Sequence, residues 1–368
     1  MKTRYGIAAI AVAAIAAVGW FSLRSSDKGP TARPQYSNAP EAPSLARTRD
    51  TPTTSTAQPA VAQAAVQQAP QAQQGKTVLQ ASWGDGPGQL GHRRPSEGSP
   101  EGPMSFEVDS AGRVHVLDQV NGRIQVFEEG RAVRSIPIGR ETFQDIALDG
   151  KDGWVLLDRL KDAAIAFVSS DGAMRQVALV GPGVQEGGAV TAMFKRDDGV
   201  WVEVEHTELV RVADSKGEAD PVRPRAQGRF SVDGAVTTRA MLSGTNSVSV
   251  LSQPAAIAML SPSVATNVSF SEQVAFLAAL EFDAKGRTLV IANLVTGGKG
   301  LSRGIAGGGR EYLEAVVLDA SRREVERFTM TTNSGSEEQF RDFRVGANGA
   351  LYQLSCEDQG ATVRRFEQ

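Results

Sequence analysis

The sequence predicts an all-β fold, a six-bladed β-propeller, from three observations. An apolar residue that closes a short candidate innermost strand recurs as Val108, Leu148, Phe194, Leu242, Phe282 and Val345. Ten residues after each comes the end of a second strand, at Asp118, Asp158, Val204, Ser252, Ala292 and Ser355, through VHVL, VLL, VWVEV, VSVL, TLVI and LYQL. The intervals of 40, 46, 48, 40 and 63 residues, the last stretched by an insertion, suit four-stranded blades of ~40–50 residues. The third observation concerns the ends. The last unit stops at residues 363–366, a third strand with no fourth, while 77–83 (TVLQASW) is a strand ahead of the first innermost one. The N-terminal strand is therefore expected to supply the missing outer strand of the last blade, closing the ring without an unpaired edge.

Ahead of the propeller the chain divides twice. Residues 5–23 (YGIAAIAVAAIAAVGWFSL) carry no charge and follow Lys2 and Arg4. At ~1.5 Å per residue, this segment is just long enough to span a hydrocarbon core of ~30 Å. We expect residues 1–23 to be a signal anchor, a transmembrane helix whose amino end stays in the cytoplasm while the rest is exported. A cleaved signal peptide is the alternative. The corresponding locations are the bacterial cell envelope, with an inner-membrane anchor and a periplasmic propeller, or secretion after cleavage. Residues 24–76 are rich in Pro, Ala and Gln and show no hydrophobic periodicity, so they are expected to form a disordered linker. As a Gaussian tether it would reach on the order of 40 Å. Residues 77–368 are then the propeller.

Charge and cysteine content narrow the function. Eight basic residues against Asp27, Glu41 and Asp50 give residues 1–76 a net charge of +5, which leaves −8 of the total −3 on the remainder. An acidic domain is a poor match for a phosphate backbone, so no nucleic-acid partner is expected. Cys356 is the single cysteine, which excludes an internal disulfide and a thiolate metal site. Glu357 and Asp358 beside it oppose thiolate formation, so it is expected to be an inert small apolar residue.

Residues 104–139 (MSFEVDSAGRVHVLDQVNGRIQVFEEGRAVRSIPIG) are the most informative stretch. Val108-Asp109, a Gly turn, the VHVL strand, Asp118, Asn121, Arg123 and Ile124-Gln125-Val126-Phe127 follow one another as three strands separated by turn residues. This unit resembles an NHL repeat. The resemblance implies an NHL/TolB-like propeller that acts as a monomeric interaction platform, binding a protein, peptide or glycan partner through its loop-rich face. Residues 84–103 and the insertion 293–312 should emerge together on the face where the innermost strands begin. They bring His92, Arg93 and Arg94, and Lys299, Arg303 and Arg310, a candidate basic patch on an acidic domain. Arg239 adds a cation at the channel position three residues before the fourth anchor.

A catalytic alternative also follows from resemblance. Six-bladed gluconolactonase-like propellers hold a divalent cation in the channel with carboxylates and amides. The positions three residues before the anchors are Ser105, Asp145, Thr191, Arg239, Ala279 and Asp342. Blades two and six flank blade one, so Asp145 and Asp342 are candidate oxygen ligands for Ca²⁺ or Mg²⁺ in a lactonase- or lyase-like hydrolase. The simpler reading is that they cap turns or pair with Arg239 and Arg341. His92, His115 and His206 lack zinc-site spacing, and His115 reads as a half-buried packing residue. Gly307-Gly308-Gly309 is not a phosphate loop, and no Gly-x-Ser-x-Gly elbow or nucleophilic triad stands out. The leading expectation is a non-catalytic binding propeller with no cofactor.

Overall fold

The computed structural model describes residues 75–368 except 151, 256–262, 297–309, 334, 347 and 368. The expected anchor and linker, residues 1–76, lie outside the described residues but for the last two. Among those described, no helix is long and apolar enough to cross a membrane.

Twenty-four strands among the described residues form six antiparallel sheets of four. The strand β1 (Lys76–Ser82) comes first in the chain and belongs to the last sheet. Blade one is β2 (Ser105–Val108), β3 (Val114–Asp118), β4 (Arg123–Glu128) and β5 (Arg131–Pro137). Blade two is β6 (Asp145–Asp149), β7 (Gly153–Asp158), β8 (Ala164–Val168) and β9 (Met174–Ala178). Blade three is β10 (Val190–Arg196), β11 (Gly199–Val204), β12 (Glu208–Asp214) and β13 (Arg225–Gln227). Blade four is β14 (Arg229–Phe230), β15 (Val236–Leu242), β16 (Ser247–Pro254) and β17 (Val264–Ser269). Blade five is β18 (Gln273–Phe282), β19 (Thr288–Val295), β20 (Glu311–Leu318) and β21 (Glu324–Met330). Blade six is β22 (Phe343–Val345), β23 (Leu351–Glu357) and β24 (Gly360–Phe366), completed on its outer edge by β1.

The burial of each strand follows from its place in the blade. Second strands such as β3 (VHVLD) and β7 (GWVLLD) are packed on both faces by neighbouring blades and are buried almost throughout, so they read as continuous apolar runs. The outer strand β5 (RAVRSIP) buries only Ile136. The ring closes as the sequence suggests. β1 pairs antiparallel with β24, setting Leu79 opposite Val363 and Ala81 opposite Ala361. Leu79 joins Phe106, Val116 and Leu354 in the cluster between blades six and one. Burying a leucine contributes roughly 1.5–3 kcal/mol, so β1 is tied down by packing as well as by its ladder.

Blade four corrects the sequence reading. Leu242 was expected to end an innermost strand, but it ends β15, the second in its sheet. The innermost position is held by β14, only two residues long and reached from β13 through Gly228. Gly228 has φ 82°, and an added Cβ would lie 2.5 Å from the Thr238 carbonyl oxygen. A strand of two residues carries no detectable periodicity, so the alignment slid to the next apolar run. Arg239, placed at a channel position by that alignment, is instead a half-buried residue of β15 opposite Leu251.

The seams between blades also differ. Apolar clusters fill the seams six/one, one/two, two/three, four/five and five/six. Among the described residues, no such cluster spans blades three and four. That seam holds Trp201 edge-on to Phe230 at 5.0 Å, with Arg196 over the Phe230 ring at 4.5 Å.

Candidate functional site on the propeller axis

The starts of the innermost strands define one face. Ser105 pairs with Leu117, Asp145 with Leu157 and Gln273 with Val295, so connections after second strands open on that same face. The long loop entering β2 lies there too. It is fixed to the segment preceding β22 by Glu338 N–H donating to the Pro100 carbonyl (3.2 Å) and Phe340 N–H to that of Met104 (2.9 Å).

Three arginines and four carboxylates fill the axis. Arg344 donates through Nη2 to Asp145 Oδ1 (2.7 Å) and to the Ile146 carbonyl (2.6 Å), and through Nε to the Phe106 carbonyl (2.8 Å). Its Nε also lies 3.6 Å from Glu107. Arg341 donates to Glu281 Oε1 (2.8 Å) and the Met193 carbonyl (3.0 Å). Arg229 grips both oxygens of Glu203, at 2.7 and 2.8 Å, and donates to the Leu280 carbonyl. The Phe194 ring lies between Arg341, 4.6 Å from its centroid, and Arg229, at 5.3 Å. Burial pushes the Glu203 carboxyl up, but the charge and hydrogen bonds of Arg229 outweigh it and hold the group well below the usual carboxylate range.

Above this layer opens a cavity of about 410 Å³. Glu203, Arg229, Glu281 and Arg341 line it together with residues 275–280 of β18, Leu242, Phe340 and Phe343. Leu242 (50% exposed) and Phe276 (53%) form an apolar lip. His206 stands at the mouth with Nδ1 3.6 Å from Glu203. Asp342 also lines the cavity. Its carboxylate has no side-chain partner among the described residues, and burial, helped by the nearby Glu281 charge, pushes it up to about 7.

The residues singled out from sequence are distributed unevenly over this arrangement. His92 is stacked on Trp83 (4.6 Å between centroids) and bonded to Glu337 at 2.9 Å. Arg93 pairs with Glu101 and, at 2.7 Å, with Glu141, so it clamps the entering loop to the link between blades one and two. The expected basic patch is thus largely neutralised on its first half. Arg94 is exposed, as is Arg310, whose N–H donates to Thr296 Oγ1 at 2.8 Å. Lys299 and Arg303 lie outside the described residues. His115 is buried: Trp154 Nε1–H donates to its Nδ1 (3.0 Å), which places the proton on Nε2, facing Asp109 at 3.2 Å. Burial pushes the Cys356 thiol up to about 12, as an inert residue requires.

The residues do not fit the divalent cation that the catalytic alternative needs. Asp145 Oδ1 accepts from Ser105 Oγ, Ile146 N–H and Arg344, and its Oδ2 accepts from Met193 N–H. Asp342 lines the cavity, whereas Asp145 does not. Among the described residues, no group of three or more His, Cys, Asp or Glu side chains is placed to hold a metal ion.

Sequence reasoning missed Arg229, Glu203, Glu281 and Arg344. Three channel residues had an available signal: the position just before the anchor is Glu107 in blade one, Glu281 in blade five and Arg344 in blade six. Residues two apart on a strand share a face, so scanning one position per blade left out their neighbours.

No family model matches the chain, and no curated protein matches it. Solved structures do. A member of the DUF4221 family from Bacteroides vulgatus is 10% identical with a TM-score of 0.47, covering 80% of this chain and 94% of its own. Virginiamycin B lyase from Staphylococcus aureus is 8% identical with a TM-score of 0.39, covering 72% and 95%. A luciferin-regenerating enzyme is 11% identical with a TM-score of 0.41, covering 81% and 95%. The chain is a six-bladed β-propeller, and its likeness to the NHL family rests on the residues of the first blade.

Proposed function

We propose that this protein is a non-catalytic binding propeller of the bacterial cell envelope, which engages a polypeptide partner through the face where its innermost strands begin. The observation that carries this reading is the axial cavity with its apolar lip. Leu242 and Phe276 stand half-exposed at the mouth of a pocket whose floor is closed by paired charges. An apolar rim around a concave polar floor suits capture of side chains from a partner. The arginines of the floor are spent on Glu203, Glu281 and Asp145, which favours a recognition surface over a reactive one. The charge-free segment 5–23 supports the envelope location.

Site-specific photocrosslinking in cells tests the reading. Phe276 on the lip and Val325 on the outer strand β21 are each 53% exposed, so they form a matched pair for a benzoylphenylalanine probe. A discrete adduct from position 276 alone, in the envelope fraction, is the expected result. Equal adducts from both positions, or none from 276, would overturn it.

A further inference from the structure

We infer that the axial cavity is a lysine-binding site, in which Asp342 receives the ammonium group of a lysine side chain on the partner polypeptide. This rests on the binding reading above and names what that site recognises.

The first argument is charge. Around the cavity stand two guanidinium groups, Arg229 and Arg341, and three carboxylates, Glu203, Glu281 and Asp342. Arg229 is committed to both oxygens of Glu203, and Arg341 to Glu281. Asp342 is left without a cation, held among Phe340, Phe343 and the apolar stretch of β18. Asp342 is half-buried at the cavity wall with no cation bonded to it, and one incoming positive charge would make the pocket neutral. His206, the remaining titratable group at the mouth, faces Glu203.

The second argument is shape. A cation bound at Asp342 would share the cavity with the lip of Leu242 and Phe276 and lie along the Ala- and Leu-rich residues 275–280. A lysine does this with four methylenes in apolar contact and a compact charge at the tip. Arginine is a poorer match, because its planar fork needs paired in-plane acceptors, and both oxygens of Glu203 already serve one. An anion is disfavoured because both guanidinium groups are occupied.

A titration separates the possibilities. The full-length chain is titrated calorimetrically with acetyl-Leu-Lys-Leu-amide, its Nε-acetyl-lysine and arginine analogues, and n-hexylamine. The lysine peptide should bind at least about tenfold more tightly than the acetylated one, the difference expected for one charge-assisted contact. Asp342→Asn should abolish that difference while leaving the fold intact, checked by an unchanged or raised Tm. Equal affinity for lysine and acetyl-lysine peptides, preference for the arginine analogue, or no binding at millimolar concentration would overturn the proposal. Hexylamine bound in place of the peptide would overturn it in favour of a free amine. A crosslink at position 276 in the parent protein, together with no preference for lysine over acetyl-lysine in the titration, would leave the binding reading standing while removing lysine from it.

Discussion

Arg344 of blade six lies 2.7 Å from Asp145 of blade two, reaching across blade one to join three blades at the axis. Both side chains are buried and directly paired, with Glu107 3.6 Å from Arg344 and Arg341 3.9 Å from Asp145 as the further counter-charges. Removing one partner leaves an uncompensated buried charge, a loss of roughly 3–5 kcal/mol. Arg344→Leu and Asp145→Asn should each lower the unfolding free energy read from urea titrations to that degree. The double variant should cost less than the sum of the two, because a single loss already strands the partner. Additive losses would mean that the pair is not coupled.

This long-range pair also marks the limit of what the sequence disclosed. The first blade was legible because its motif is local. Asp118 accepts from Gly91 N–H (2.7 Å), Asn121 (3.0 Å), Arg123 (2.7 Å) and Gln125 (3.2 Å). Arg123 in turn donates to the carbonyls of Asp85, Gly86 and Gln89. One carboxylate at a strand end thus organises the following turn and fastens the incoming loop, and a short run of residues records it. β1 was legible for a similar reason, since a lone strand before blade one and a missing strand after blade six imply each other. The axial layer left no local motif, only the charged residue just before the anchor in blades one, five and six. Arg229 meets Glu203 26 residues upstream and the Leu280 carbonyl 51 downstream, and Arg344 meets Asp145 across 199 residues. Such pairs form only when the ring closes.

The unpartnered Asp342 should give stability a distinctive pH dependence. Its carboxyl is pushed up to about 7 in the folded protein, against ~3.9 in an unfolded chain. Between these values the folded state binds more protons, so its contribution to stability falls as pH rises, and the full penalty is reached above pH 7. Asp342→Asn removes this term. Its stability gain over the parent protein should be near zero at about pH 4 and rise to a plateau above pH 7, well short of the ~4 kcal/mol that complete burial would give, because Asp342 is only half-buried. Buried His115 acts the other way. Burial lowers its value, so its contribution is present above the ordinary histidine range and is lost as pH falls. It is common to both proteins and cancels in the difference. A gain independent of pH would show that Asp342 is ionised throughout.

The seam between blades three and four should be the weakest part of the ring. Five seams are filled by apolar clusters, and burial of apolar surface contributes about 25 cal/mol per Å². The remaining seam relies on the Trp201–Phe230 contact, the Arg196–Phe230 stack and the Arg229–Glu203 pair. A stack of this kind is worth roughly 0.5–1 kcal/mol when exposed, and the ion pair must offset its own desolvation. The backbone is thin there as well: β14 contributes only two residues to its ladder. Local opening should therefore begin at this seam, beside the cavity. Native-state hydrogen exchange checks it. Amides of β14 and β15 should exchange through openings well below the global unfolding free energy, while those of β7 and β8, between two apolar seams, should require global unfolding. Occupancy of the cavity should slow β14 and β15 selectively, because a ligand spanning Leu242, Phe276 and Asp342 would bridge blades four, five and six. Uniform protection across all six sheets would place the weak point elsewhere.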